Sequence, residues 1–267
     1  MEQKKYTLLS DLNVPAEEAY KTLRTNIRFC DVINKIKTIT VTSCIPGEGK
    51  TTTVLNLAMS MAKTGMKTLV VDVDLRRPMT GKIMGIKTRL GLTSYLTGDA
   101  DIEDIIQDTD VENFYIIPSG PIPPNPAELL SSSKFTELTS SIKERDFKSI
   151  NGKFDIIIFD TPPLGSVIDA AILASQTDGT ILVIKSKSVN YKLAQNVKEQ
   201  LEKANATILG VVLNNVNIKD YRYQYGYGGK YKYYNYYVSG NSTKENREKE
   251  GIFGKVFSKF KLKNVKF

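Results

Sequence analysis

The 267-residue chain is 41% hydrophobic, carries a formal net charge of +8, and has two cysteines and no histidine. That length and apolar content fit one α/β domain with tails or two small domains; without histidine, Ser-His-Asp and Cys-His mechanisms are excluded, and Cys30 and Cys44 give neither a disulfide framework nor a metal-binding spacing. Residues 1–218 hold 25 Lys/Arg and 25 Asp/Glu, whereas residues 219–267 hold 12 against 4, so the charge sits in the tail and a globally basic nucleic-acid-binding surface is not supported.

In chain order, MEQKKYTLLSDLNVP lacks the apolar core of a signal peptide. No apolar run approaches the ~18 residues of a membrane span, so a cytoplasmic protein is expected. Residues 1–36 contain a helical pattern, PAEEAYKTLRTNIRF. KTITVTS (37–43) reads as a strand and TTTVLNLAMSMAKTG (51–65) as a helix ending at glycine. KTLVVDV (67–73) and FYIIP (114–118) read as strands, and PAELLSSSKFTELTSSIKERD (126–146) as a helix. FDIIIFD (154–160), GTILVIK (179–185) and TILGVVLNN (207–215) are apolar throughout, with the helix NYKLAQNVKEQLEKAN (190–205) before the last. Strands apolar on both sides and separated by helices predict a parallel α/β sheet covered on both faces, with ligands at the strands' carboxyl ends.

The chemistry begins after the first strand. In SCIPGEGKTTT, the stretch Pro46, Gly47, Glu48, Gly49, Lys50, Thr51 and Thr52 forms a phosphate-binding loop. Its glycines let backbone N–H groups converge on phosphate oxygens, Lys50 supplies a charge near the terminal phosphates, and the Thr51 hydroxyl can ligate Mg²⁺. The strict pattern wants glycine where Cys44 stands. Asp72 and Asp74 close the second strand and Asp160 closes another. Strand-ending carboxylates beside a phosphate loop are better explained by Mg²⁺, a hard cation that takes oxygen ligands and keeps waters, than by turn capping.

PGEGKT, then VDVDLRRP, then FDTPP followed by Asp169-Ala170, then a terminal tyrosine cluster, resemble over about residues 5–237 the bacterial tyrosine kinases of capsule and exopolysaccharide synthesis. The resemblance implies a P-loop NTPase-type parallel sheet with a ParA/MinD-like core and ATP with Mg²⁺ as nucleotide and metal. It implies Lys50 in the Walker A loop, Asp72 as the carboxylate facing the acceptor phenol, Asp74 and Asp160 holding Mg²⁺ mostly through water, and Asn214 near the adenine. Glu18, Lys21 and Arg24 fall on one side of a helix. In the resembled family that position mediates ring-shaped homo-oligomers; Lys21 replaces an arginine and cannot make its bidentate contact. A transmembrane polysaccharide co-polymerase as activator, a phosphotyrosine phosphatase and a place at the inner face of the membrane are further implied.

Residues 219–237 hold nine tyrosines, Tyr221, Tyr223, Tyr225, Tyr227, Tyr231, Tyr233, Tyr234, Tyr236 and Tyr237. Their glycine-broken alternation lacks an apolar face, which argues against a buried strand; the resemblance implies that they are autophosphorylation sites. Extended by roughly 3.3–3.6 Å per residue, the tail spans roughly 60–70 Å from the last strand, enough to enter a neighbouring subunit. Residues 238–267 form a polar linker and a basic segment, with Ile252, Phe253, Val256, Phe257 and Phe260 at helical spacing, suited to an anionic membrane or a partner. Two alternatives are a ParA/MinD-like positioning ATPase, for which Ile45 occupies the place of an expected lysine, and a nucleotide-dependent module with an RNA-stacking tail.

Overall fold

The computed structural model describes residues 8–9, 12–34, 36–86 and 89–217. The tyrosine cluster and the basic carboxyl-terminal segment lie outside the described residues. Helix α1 (Val14–Asn34) leads into strand β1 (Thr38–Ser43), helix α2 (Lys50–Ala62) and strand β2 (Thr68–Asp72). Three short helices follow, α3 (Thr80–Met84), α4 (Leu92–Thr97) and α5 (Ile102–Ile105), then β3 (Gln107–Asp108) and β4 (Phe114–Ile117). After α6 (Pro126–Leu130) and α7 (Ser133–Ser141) come β5 (Ile156–Asp160), α8 (Asp169–Ala174), β6 (Gly179–Lys185), α9 (Tyr191–Lys203) and β7 (Ile208–Asn214).

The seven strands form one sheet in the order β3-β4-β2-β5-β1-β6-β7. Every pairing is parallel except β3 with β4. The all-apolar strands follow from this burial. On β5, Ile156 and Ile158 enter one core with Val54, Leu57 and Met61 of α2, while Ile157 and Phe159 enter another with Leu138 of α7 and Phe154. Fully burying each such side chain is worth about 1.5–3 kcal/mol. Helix α1 packs on the first of these cores through Leu23 and Ile27, so it belongs to the same body as the sheet. Edge strand β7 departs from the predicted two-sided burial, because Val211 and Leu213 are exposed and no strand pairs with its outer side among the described residues.

From β1 the chain runs toward β2 on one side and later adds β6 and β7 on the other. The end of β1 therefore stands at a switch point, where open α/β sheets bind ligands. The predicted helix over 126–146 is two helices, with Ser132 capping the second by accepting from the Phe135 N–H at 3.3 Å.

Candidate active site

The turn between β1 and α2 has the phosphate-loop conformation its sequence implies. Gly47 and Gly49 adopt φ of 84° and 86°, a left-handed backbone that side chains disfavour. A Cβ at Gly49 would also collide with the Asn214 carboxamide. Helix α2 starts at Lys50, so its first-turn N–H groups lack intrahelical acceptors and its positive end faces the loop. Asn214, ending β7, donates from Nδ2 to the Glu48 carbonyl at 2.8 Å.

Lys50 lies in the centre, its Nζ 2.6 Å from Asp160 Oδ1 and 3.5 Å from Thr51 Oγ1. Asp160 and Asp72 end adjacent strands in direct register. Asp72 is buried; Oδ2 accepts from Thr80 Oγ1 at 2.6 Å and from the Thr80 and Met79 N–H groups, and Oδ1 accepts from the Asp74 N–H. Burial, then the charge of Asp160, push the Asp72 carboxyl up to about 7 against the pull of Thr80 and Lys50. Burial also raises Asp74, whose Oδ1 caps the Arg77 N–H at 3.1 Å. A cleft of about 110 Å³ opens beside Asp72, lined by Pro78, Gly81, Lys82, Ile86 and Ser119.

The phosphate loop, the strand-end carboxylates and Asn214 thus lie together. Glu18, Lys21 and Arg24 lie apart from them on α1. Lys21 pairs with Glu17 at 3.1 Å and Glu18 at 2.8 Å, while Arg24 turns onto α2 and donates to the Ser60 carbonyl and hydroxyl. The nine tyrosines fall outside the described residues. Two features escaped sequence reading. Arg76 holds the buried Asp169 at 3.1 Å, tying the loop after β2 to the start of α8; both residues stand in motifs that carry the resemblance, but nothing in their spacing pairs them. Glu48 uses its carboxylate away from the phosphate side, on Cys44, Ile45, Lys185 and Ser188, for which no local signal exists.

A family model described as an AAA domain matches residues 36–219. A curated relative, the tyrosine-protein kinase CpsD of Streptococcus agalactiae, is 43% identical over 216 residues, covering 80% of this chain and 90% of its own. The chain belongs to the bacterial tyrosine-protein kinases. In structure the kinase resembles the kinase domain of the Escherichia coli tyrosine kinase ETK (TM-score 0.70, 29% identity, 81% of this chain and 83% of that one). It also resembles the septum site-determining protein MinD from Pyrococcus horikoshii, solved with Mg-ADP (TM-score 0.55, 28% identity, 70% of this chain and 76% of that one). Fold and family are therefore those of a P-loop NTPase with a MinD-like core.

The kinase's acidic cluster suits a magnesium ion. Asp160 Oδ2 is buried with no hydrogen-bond partner, an atom that costs free energy unless something occupies it. Among the described residues no three acidic, cysteine or histidine side chains form a cage. Few protein ligands, with the rest from phosphate and water, is how Mg²⁺ is usually held. None of the described helices is long and apolar enough to cross a membrane.

Proposed function

We propose that this kinase transfers the γ-phosphoryl group of Mg·ATP to the tyrosines of its own tail, one copy acting on the next. The observation that carries this reading is the in-register pair Asp72 and Asp160 at the phosphate loop, with a cleft of about 110 Å³ lined in part by Asp72. The bond from the γ-phosphorus to the β–γ bridging oxygen breaks, and a bond from that phosphorus to the phenol oxygen forms. The phenol's proton passes to Asp72, whose raised pKa makes it a better acceptor than an ordinary carboxylate. A phenol titrates near ~10, so it needs only modest help from a base. Lys50 exchanges Asp160 for phosphate oxygens, and the loop N–H groups fix the phosphates. Thr51, Asp74 and Asp160 would hold Mg²⁺, which neutralises phosphate charge when bound.

The same proposal covers control of capsular or exopolysaccharide synthesis through phosphorylated tyrosines. It includes a transmembrane co-polymerase as activator, a phosphatase that resets the tail, a homo-oligomer meeting at Glu18, Lys21 and Arg24, and a location at the inner membrane face. Names of relatives and the sequence resemblance support these points. The test is intact-mass spectrometry after incubation with Mg·ATP, with the cytoplasmic segment of a candidate membrane partner. A ladder of phosphate additions is expected in the wild type, and none in Lys50→Met or in a variant with all nine tail tyrosines changed to phenylalanine. ADP release that depends on Lys50, without any ladder, would make the protein a positioning ATPase instead.

A further inference from the structure

The phosphate loop carries a carboxylate that phosphate binding does not explain. Glu48 sits between the two left-handed glycines and is 1% exposed, yet a negative group there would repel phosphate if it faced the nucleotide. It turns the other way and both oxygens are engaged. Oε2 accepts the N–H groups that open the loop, Cys44 at 2.7 Å and Ile45 at 3.0 Å. Oε1 reaches across to β6, accepting the Lys185 N–H at 3.1 Å and the Ser188 hydroxyl at 2.7 Å. The Glu48 carbonyl accepts from Asn214 at the end of β7. One residue thus fastens the carboxyl ends of β1, β6 and β7, three neighbours in the sheet.

We infer that Glu48 is a positioning residue that locks the phosphate loop to the turn between β6 and α9, and so sets nucleotide affinity without touching the nucleotide. The inference rests on the nucleotide-binding reading above. A loop whose N–H groups must converge on phosphates loses entropy when it orders around them, and a loop ordered in advance avoids that cost. The partners of Oε1 lie in a turn where Lys187 has a φ of 62°, a conformation that needs holding from outside, and the single Ser188 hydroxyl proton is shared between Glu48 Oε1 and the Lys185 carbonyl, each 2.7 Å away. Of Cys44 only the N–H takes part in this contact.

The experiment titrates the full chain with a fluorescent ADP analogue and Mg²⁺ and measures KM for ATP and kcat in parallel. Glu48→Gln keeps the shape but sets an amide donor against N–H and O–H donors. It is expected to raise Kd and KM roughly tenfold, as loss of one or two hydrogen bonds would, with the fall in kcat/KM carried mainly by KM. Ser188→Ala, a deletion in a surface turn that leaves the core alone, is expected to raise Kd roughly threefold. The double variant should bind no worse than Glu48→Gln, since both act through one contact. Variants that melt earlier but bind like the wild type, or effects that simply add, would overturn the inference and leave Glu48 a stability residue. A wild type that does not bind the analogue would overturn the nucleotide-binding reading together with it.

Discussion

At Asp72 the same atoms serve chemistry and weigh on stability. Its carboxyl stands at about 7 in the folded chain and at the ordinary 3.8 when unfolded. Between those values the native state holds a proton that the unfolded state has released, so stability falls as pH rises through the window and levels off above it. One such proton contributes at most about 1.4 kcal/mol per pH unit. Asp74, raised by the same burial, adds to the slope. Urea unfolding of the nucleotide-free, metal-free protein between pH 5 and 8 should therefore show declining stability, and Asp72→Asn should flatten the decline without abolishing it. An unchanged slope in the variant would mean Asp72 is already ionised in the fold. Asp72 and Asp160 could be found in the sequence because each ends an apolar run. The contacts that orient the site could not: Glu48 meets Ser188 across 140 residues and Arg76 meets Asp169 across 93, distances over which no periodicity carries information.

Elements show the same division. Strands β1, β2, β4, β5, β6 and β7 were legible as apolar or β-branched runs between turn residues, and helices α2 and α9 as longer helical patterns. Helices α3, α4 and α5 have four to six residues, too short for a helical stripe, and β3 has two. The helix expected over 126–146 breaks because Ser131 and Ser132 favour capping over continuation. Helix α1 was foreseen from its pattern, but its partner was not. Arg24, assigned from the resemblance to contacts between copies, here bonds Ser60 of α2 in its own chain. Arg24→Ala should cost about 1.5–3 kcal/mol, the worth of a hydrogen bond to a charged group, and lower the melting temperature even at concentrations where no oligomer forms. If the loss appears only when the protein is assembled, the bond to Ser60 contributes little and the interface role dominates. The proposed interface is probed separately by charge reversal at Lys21, whose ion pairs with Glu17 and Glu18 stay within α1.

For the molecule as a whole, charge and core are separated along the chain. The body to residue 218 is balanced and the +8 lies beyond it. Among the described residues the last strand of the sheet ends at Asn214 and the three cores draw on nothing later than Val212. A chain ended at residue 218 should therefore keep its melting temperature, its nucleotide affinity and its catalytic groups while losing every proposed acceptor. Mixed with full-length Lys50→Met, which has acceptors but no loop lysine, it should place phosphates on the partner's tail. Each phosphate adds about −1.5 to −2, so about four or five would neutralise the tail, and the labelled chain should leave a cation-exchange column progressively earlier. A mass ladder confined to the Lys50→Met chain would establish transfer between copies. A mixture that hydrolyses ATP but leaves that chain unmodified would place transfer within one chain, and the tail's reach between subunits would then play no part in the chemistry.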